Sequence, residues 1–109
     1  MDPQAFNRAV MSAGLWFGVV YGLGLVTGAQ MSLSATAIDA SIMSASAYGS
    51  DALHSAVGRV PSAASSALST GVMYAAIQRA YNGDNSYVIN TVAAAANDYL
   101  VEAVSSSLA

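Results

Sequence analysis

His54 is the single histidine of the chain, and Asp51 stands three residues before it. On a helix that spacing places both on one face, the arrangement of an acid/base couple or of half a metal site. A metal site of the zinc type takes three or four ligands. With no second histidine and no cysteine, the pair reads as polar residues at a helix end or interface. Asp98 and Glu102, four apart, offer a second carboxylate pair, for proton transfer or cation binding. The simpler assignment is a solvated helix face, where the two like charges disfavour each other unless an arginine or water relieves them. Sixteen serines are present. None sits in a nucleophile-elbow pattern, and one histidine leaves little room for a triad. Gly22-Leu23-Gly24, followed by Gly28, has the outline of a phosphate-binding loop, but the final spacing is wrong and no lysine follows. These residues predict no catalytic centre, no cofactor and no metal ligand set, and so a non-enzyme.

The composition narrows the class further. The chain has 109 residues, the size of one domain, and includes 23 Ala, 16 Ser and 9 Gly. Charged residues make up 8%, about a third of the usual share of roughly 25%. Hydrophobic residues make up 55%, which excludes an intrinsically disordered chain. Three arginines, no lysine and a net charge of −3 exclude a nucleic-acid binder that works through a basic stripe. The absence of cysteine excludes a disulfide framework, a zinc ribbon and a thiol nucleophile. What remains is an all-α, small helical membrane protein: about four helices, one or two transmembrane spans and short loops, forming one unit over 1–109.

The first segment carries that assignment. No charge occurs from Ala9 to Ile38, a run of 30 residues. A bilayer core of about 30 Å needs about 20 helical residues, and no polar face interrupts Ala13–Val26. A helix over about 9–30 is therefore predicted to span. A cleaved signal peptide is the competing assignment, with Arg8 as its basic flank and Ala35-Thr36-Ala37 as its small-residue site. The apolar run exceeds the usual 7–15 residues, so a retained span is expected. Gly14, Gly18 and Gly22 recur every four residues, and Gly24 and Gly28 repeat the spacing on an adjacent face. In lipid, such a glycine zipper permits close backbone approach, so these five are assigned to helix packing.

Three more helices follow. The second, about 34–57, places Ile38, Ile42, Ala45, Gly49, Leu53 and Ala56 at helical spacing. Asp39 and Asp51 make it a poor lipid-facing span. The third, about 61–81, opens at Pro61, a residue suited to the first helical position. It is uncharged for 19 residues between Arg59 and Arg79, and its serines and Thr70 can bond to their own helix backbone. Ala67, Gly71 and Ala75 form another small-residue ridge. Asn82-Gly83-Asp84-Asn85 is the clearest turn, with Gly83 suited to the left-handed conformation and Asp84 or Asn85 to capping the next helix. The last helix, about 86–107, has an apolar face of Val88, Val92, Ala95, Ala96, Tyr99 and Ala103. Its polar stripe is Asn90, Thr91, Ala94, Asp98, Glu102 and Ser105. Arg8, Arg59 and Arg79, with Asp51 and Asp84, are expected at interfaces. Several of Tyr48, Tyr74, Tyr81, Tyr87 and Tyr99 are expected as membrane-interface anchors.

The stretch from Thr70 to Glu102 resembles the small hydrophobic minor capsid and membrane proteins of large icosahedral DNA viruses with an internal membrane. The shared features are an apolar helix ending in Gln78-Arg79, the Asn82–Asn85 turn, and an Ala-rich helix ending in Asn97-Asp98-Tyr99; together they cover about a third of the chain. The resemblance implies a structural protein of the virion inner membrane, present in multiple copies and tying the capsid shell to the bilayer. Its implied partners are lipid and other capsid or membrane proteins, with no nucleic acid. The alternative is a holin-like or other pore-forming protein, since glycine-ridged and Ser-rich helices can line a water-filled hole.

Overall fold

The computed structural model describes residues 3–29, 31–58 and 62–108. Three glycines divide the chain. Gly28, Gly58 and Gly83 have φ of 77°, 70° and 68°, the left-handed conformation that ends helices and that side chains with a Cβ rarely adopt. The helices between them are α1 (Pro3–Thr27), α2 (Leu33–Ala56), α3 (Ala63–Asn82) and α4 (Tyr87–Leu108). Each restart is built from a polar side chain. Ser32 Oγ accepts from the Ala35 amide at 3.1 Å and Ser62 Oγ from the Ser65 amide at 3.2 Å, satisfying N–H groups that the first helical turn leaves unpaired. At the last restart, Asp84 Oδ1 accepts from the Ser86 amide at 2.8 Å.

These boundaries correct two expectations. Gly28 is not part of a helical packing ridge; its positive φ puts it in the turn that stops α1 at Thr27, three residues before the expected end. At its other end α1 begins at Pro3 rather than near Ala9, because proline suits a first helical position and nothing between Asn7 and Ala9 breaks a helix. Pro61, expected to open α3, lies outside the described residues, as does Arg59; Ser62 is the N-cap of α3.

The four helices form an antiparallel bundle. α3 packs against α4, α1 against α2, α2 against α3, and α1 closes the ring on α4. Among the described residues there is no strand. The closest seam is between α3 and α4, where a Cβ added at Gly71 would lie 2.4 Å from the Thr91 carbonyl oxygen and 3.2 Å from the Ala95 Cβ. Ala67, Gly71 and Ala75 are all buried, so this small-residue ridge packs within the chain. The ridge on α1 does not: nothing lies within 4 Å of a Cβ built at Gly14, Gly18 or Gly22. Of the five packing glycines, only Gly24 is buried.

The apolar core is small. Trp16, Ile42, Met43 and Tyr74 fill it with Ala40 and Ala94, and the Trp16 and Tyr74 rings meet edge to face, 5.3 Å apart. The other buried positions divide between small or apolar residues, among them Ala9, Ala47, Ala67, Ala75 and Val101, and polar ones. Ser12, Thr36, Ser46, Ser50, Ser66, Thr70, Gln78, Asn97 and Asp98 are all buried. The outward positions, in contrast, carry Val10, Val19, Leu23, Leu25, Val26, Leu68, Val72, Val88, Ile89, Val92, Leu100 and Val104.

Candidate functional site

Arg8, one turn into α1, is where all four helices converge. Its Nη1 donates to Asp51 Oδ1 on α2 at 2.9 Å. Its Nη2 donates to Ser66 Oγ on α3 at 2.6 Å and to Asp98 Oδ2 on α4 at 2.5 Å. Glu102 Oε2, one turn beyond Asp98, lies 3.5 Å from Nη1. The planar guanidinium suits this task, since its donors fan out in a fixed geometry that can serve several oxygens at once. The Arg8 side chain is 16% exposed and that of Asp98 is 0%. The Thr70 hydroxyl stands beside Asp98. One layer further in, Asn97 Nδ2 donates to the Ser12 carbonyl at 3.3 Å.

A second polar layer lies toward the two glycine turns. Asp39 Oδ1 accepts from the Tyr74 hydroxyl at 2.5 Å and from Gln78 Nε2 at 2.9 Å. Gln78 Oε1 in turn accepts from Asn82 Nδ2 at 2.5 Å. Trp16 packs against Tyr74. The remaining buried or lateral hydroxyls are mostly absorbed locally: Thr36, Ser41, Ser46 and Ser69 each donate to the carbonyl four residues back, the bond that lets Ser and Thr sit inside an apolar helix.

This arrangement reverses several expectations. Arg8 and Asp51, expected to contact outside partners, pair with each other across α1 and α2. Asp98 is not on a solvated face, because the polar stripe of α4 turns inward and its apolar face, Ala95 at the α3 seam apart, turns out. Asn90, Thr91, Ala94, Asp98, Glu102 and Ser105 are buried or half-buried, whereas Val88, Val92, Ala96, Tyr99 and Ala103 are exposed. The guanidinium of Arg8 is what the inward carboxylates of α4 meet: Asp98 at 2.5 Å and Glu102 at 3.5 Å. Tyr74 is buried against Trp16 rather than acting as an anchor, while Tyr81, Tyr87 and Tyr99 are exposed. Arg79 is exposed near the end of α3. Asp51 is committed to Arg8, so it does not make a couple with His54. Among the described residues, no three His, Asp or Glu side chains gather as a metal ligand set.

The turn residues are brought together as a cap. Gly83 donates its amide to the Arg79 carbonyl, Asp84 donates its amide to that of Gln78, and the Asn85 carbonyl accepts from the Tyr87 amide. Asp84 Oδ2 accepts from Asn90 Nδ2 at 3.0 Å. The Asn90 side chain, with the Ser86 backbone N–H, holds the Asp84 carboxyl below the usual carboxylate range. The Asp39–Tyr74–Gln78 layer escapes a reading of the sequence, although one signal for it exists: Asp39 is a lone acid ending a 30-residue uncharged run, and a lone acid on an apolar helix needs a donor elsewhere.

No protein family matches this chain, and neither characterised proteins nor solved structures show significant similarity to it. Phe6–Thr27 is one helix long and apolar enough to cross a membrane, with a mean hydropathy of 1.8 and only 22% of it buried inside the chain.

Proposed function

We propose that this chain is a membrane-embedded structural protein that works in many copies, as a minor capsid protein linking a viral shell to the membrane beneath it. The membrane part of the proposal is carried by one observation, the inverted polarity of the bundle. Arg8, Asp98 and the buried hydroxyls of Ser12, Ser46, Ser50, Ser66 and Thr70 face the axis, and most of the Val, Leu and Ile side chains face out, with Ile42 and Val101 buried and Arg79 exposed as exceptions. In water this arrangement gives up the hydrophobic effect that holds bundles together. In lipid it is the expected one, since intramembrane charges face the bundle interior and pair there. Each helix has 20–25 residues, about 30–37 Å at a rise of about 1.5 Å per residue, which matches a bilayer core of about 30 Å. Among the described residues α1 alone is apolar enough to cross a membrane by hydropathy; α2, α3 and α4 carry an inward polar stripe that lowers theirs.

The structural part rests on the outward ridge of Gly14, Gly18 and Gly22. Among the described residues nothing lies within 4 Å of a Cβ built at these positions, so the ridge would let a neighbouring helix approach closely. The assignment to a virion draws on the resemblance of Thr70–Glu102. The test is Gly18→Leu in the native assembly: the chain should insert and fold normally while its incorporation falls. Unchanged incorporation would remove the packing role, and release of wild-type chain from membranes by alkaline carbonate would remove the membrane. Dye release from liposomes separates the scaffold from the pore-forming alternative. The bundle axis is filled by Met43, Thr36, Thr70 and Val101, which favours a scaffold that leaks nothing.

A further inference from the structure

At the end of the bundle opposite Arg8, beside the α3–α4 turn, a cavity of about 390 Å³ opens between the helices. Trp16, Asp39, Tyr74, Tyr81, Asp84 and Asn90 are among the residues that line it. Two of these are carboxylates, and among the described residues neither forms an ion pair: the described ion pairs all belong to Arg8. Both hydrogen bonds to Asp39 fall on Oδ1. Three of the six are aromatic rings, whose faces attract cations. On the same wall the indole N–H of Trp16 is buried beside the Tyr74 hydroxyl, which interacts with it without reaching full hydrogen-bond geometry among the described residues, so an acceptor brought from outside would compete with Tyr74 for this donor.

A bare metal ion is a poor match, because hard cations take six or more oxygen ligands and gain little from indole and phenol faces. A cation with apolar substituents matches both parts of the wall: its charge meets Asp39 and Asp84, and its methyl or methylene groups meet the rings. We propose that this cavity binds a substituted ammonium group carrying an oxygen acceptor close by, the chemistry of a zwitterionic phosphocholine or phosphoethanolamine. The source is either the headgroup of a lipid or a free small molecule. The proposal goes beyond the structural role above and does not depend on it.

The experiment uses the full chain in a maltoside detergent and reads the emission of Trp16, the single tryptophan. Phosphocholine should give a saturable change that sodium phosphate at equal ionic strength does not give. Asp39→Asn should weaken the response at least tenfold. Tyr81 is 64% exposed, so Tyr81→Ala should weaken it several-fold with helix content unchanged, which keeps the test decisive if the Asp39 variant misfolds. Vesicles distinguish the source. If a lipid headgroup fills the cavity, the chain in phosphatidylcholine already shows the bound emission and added phosphocholine changes nothing, whereas in phosphatidylglycerol it titrates. If the ligand is free, phosphocholine titrates equally in both. The proposal is overturned by no saturable change in detergent together with no difference between the two lipids, or by an undiminished response in both variants. It can fail while membrane insertion stands, and stand while insertion fails.

Discussion

Arg8 and Asp98 are 90 positions apart in the chain and 2.5 Å apart in the structure. The pair joins the first helix to the last, and the same guanidinium reaches Asp51 and Ser66 on the two helices between. Ion pairs on exposed surfaces contribute little, but this one sits where solvent screening is weak and a lone charge has no substitute partner.

Replacing Arg8 with methionine therefore leaves three carboxylates around an empty centre. Breaking a buried pair by removing one partner destabilises by about 3–5 kcal/mol, and that is the expected loss in a reversible unfolding titration in detergent. Arg8→Met combined with Asp98→Leu should recover a large part of it, because the double variant no longer strands Asp98. Equal losses in the single and double variants would show that the pair does not govern the fold.

Gly71 and Gly18 should behave oppositely. At Gly71 a methyl group meets the Thr91 carbonyl at 2.4 Å, backbone that cannot swing aside. Gly71→Ala should lower stability by about 1–3 kcal/mol, the usual penalty of overpacking. Gly18→Ala meets nothing within 4 Å and should match or slightly exceed wild type in helix stability. Thermal melts of the two variants, followed by circular dichroism in one detergent, make the comparison.

The α3–α4 turn should loosen in acid. The Asp84 carboxyl is held below its ordinary value of 3.8 by Asn90 and the Ser86 amide, so its ionised form belongs to the folded turn. A depressed folded-state value means that the stabilisation is present above about pH 3.8 and fades as the pH falls through the folded-state value. The protection of the Ser86–Asn90 amides, taken relative to their intrinsic exchange rates, should fall as the pH drops below 3.8, and Asp84→Asn should flatten that dependence.

Ser32 and Ser62 should contribute as caps. Each accepts a hydrogen bond from the amide three residues on, and changing such a residue to alanine typically costs about 1 kcal/mol. Ser32→Ala and Ser62→Ala should each lower the unfolding midpoint, and Ser55→Ala, at an exposed position of α2, should not.

Helix number and type were legible because the signals are local. The uncharged run before Asp39 and the Asn82–Asn85 turn each need only a few residues to act. Gly28 was misassigned because its four-residue spacing from Gly24 is the same whether it continues a helix or stops one; only φ separates the two. Which face of α4 turns inward was not legible either. Periodicity finds the stripe of Asn90, Asp98 and Glu102, but its direction depends on the surrounding solvent and on Arg8, 90 residues away. The Asp39–Tyr74–Gln78 layer joins residues 35 and 39 positions apart, beyond any spacing rule within one helix.

The Arg8 cluster also sets an order on biogenesis. During synthesis α1 emerges long before α4, and until Asp98 arrives the guanidinium has Asp51 as its one acidic partner among the described residues. Burial of α1 in the bundle is thus least favourable before α4 is in place and becomes favourable once Asp98 is at hand, so the settling of the first helix waits on a segment made 90 residues later.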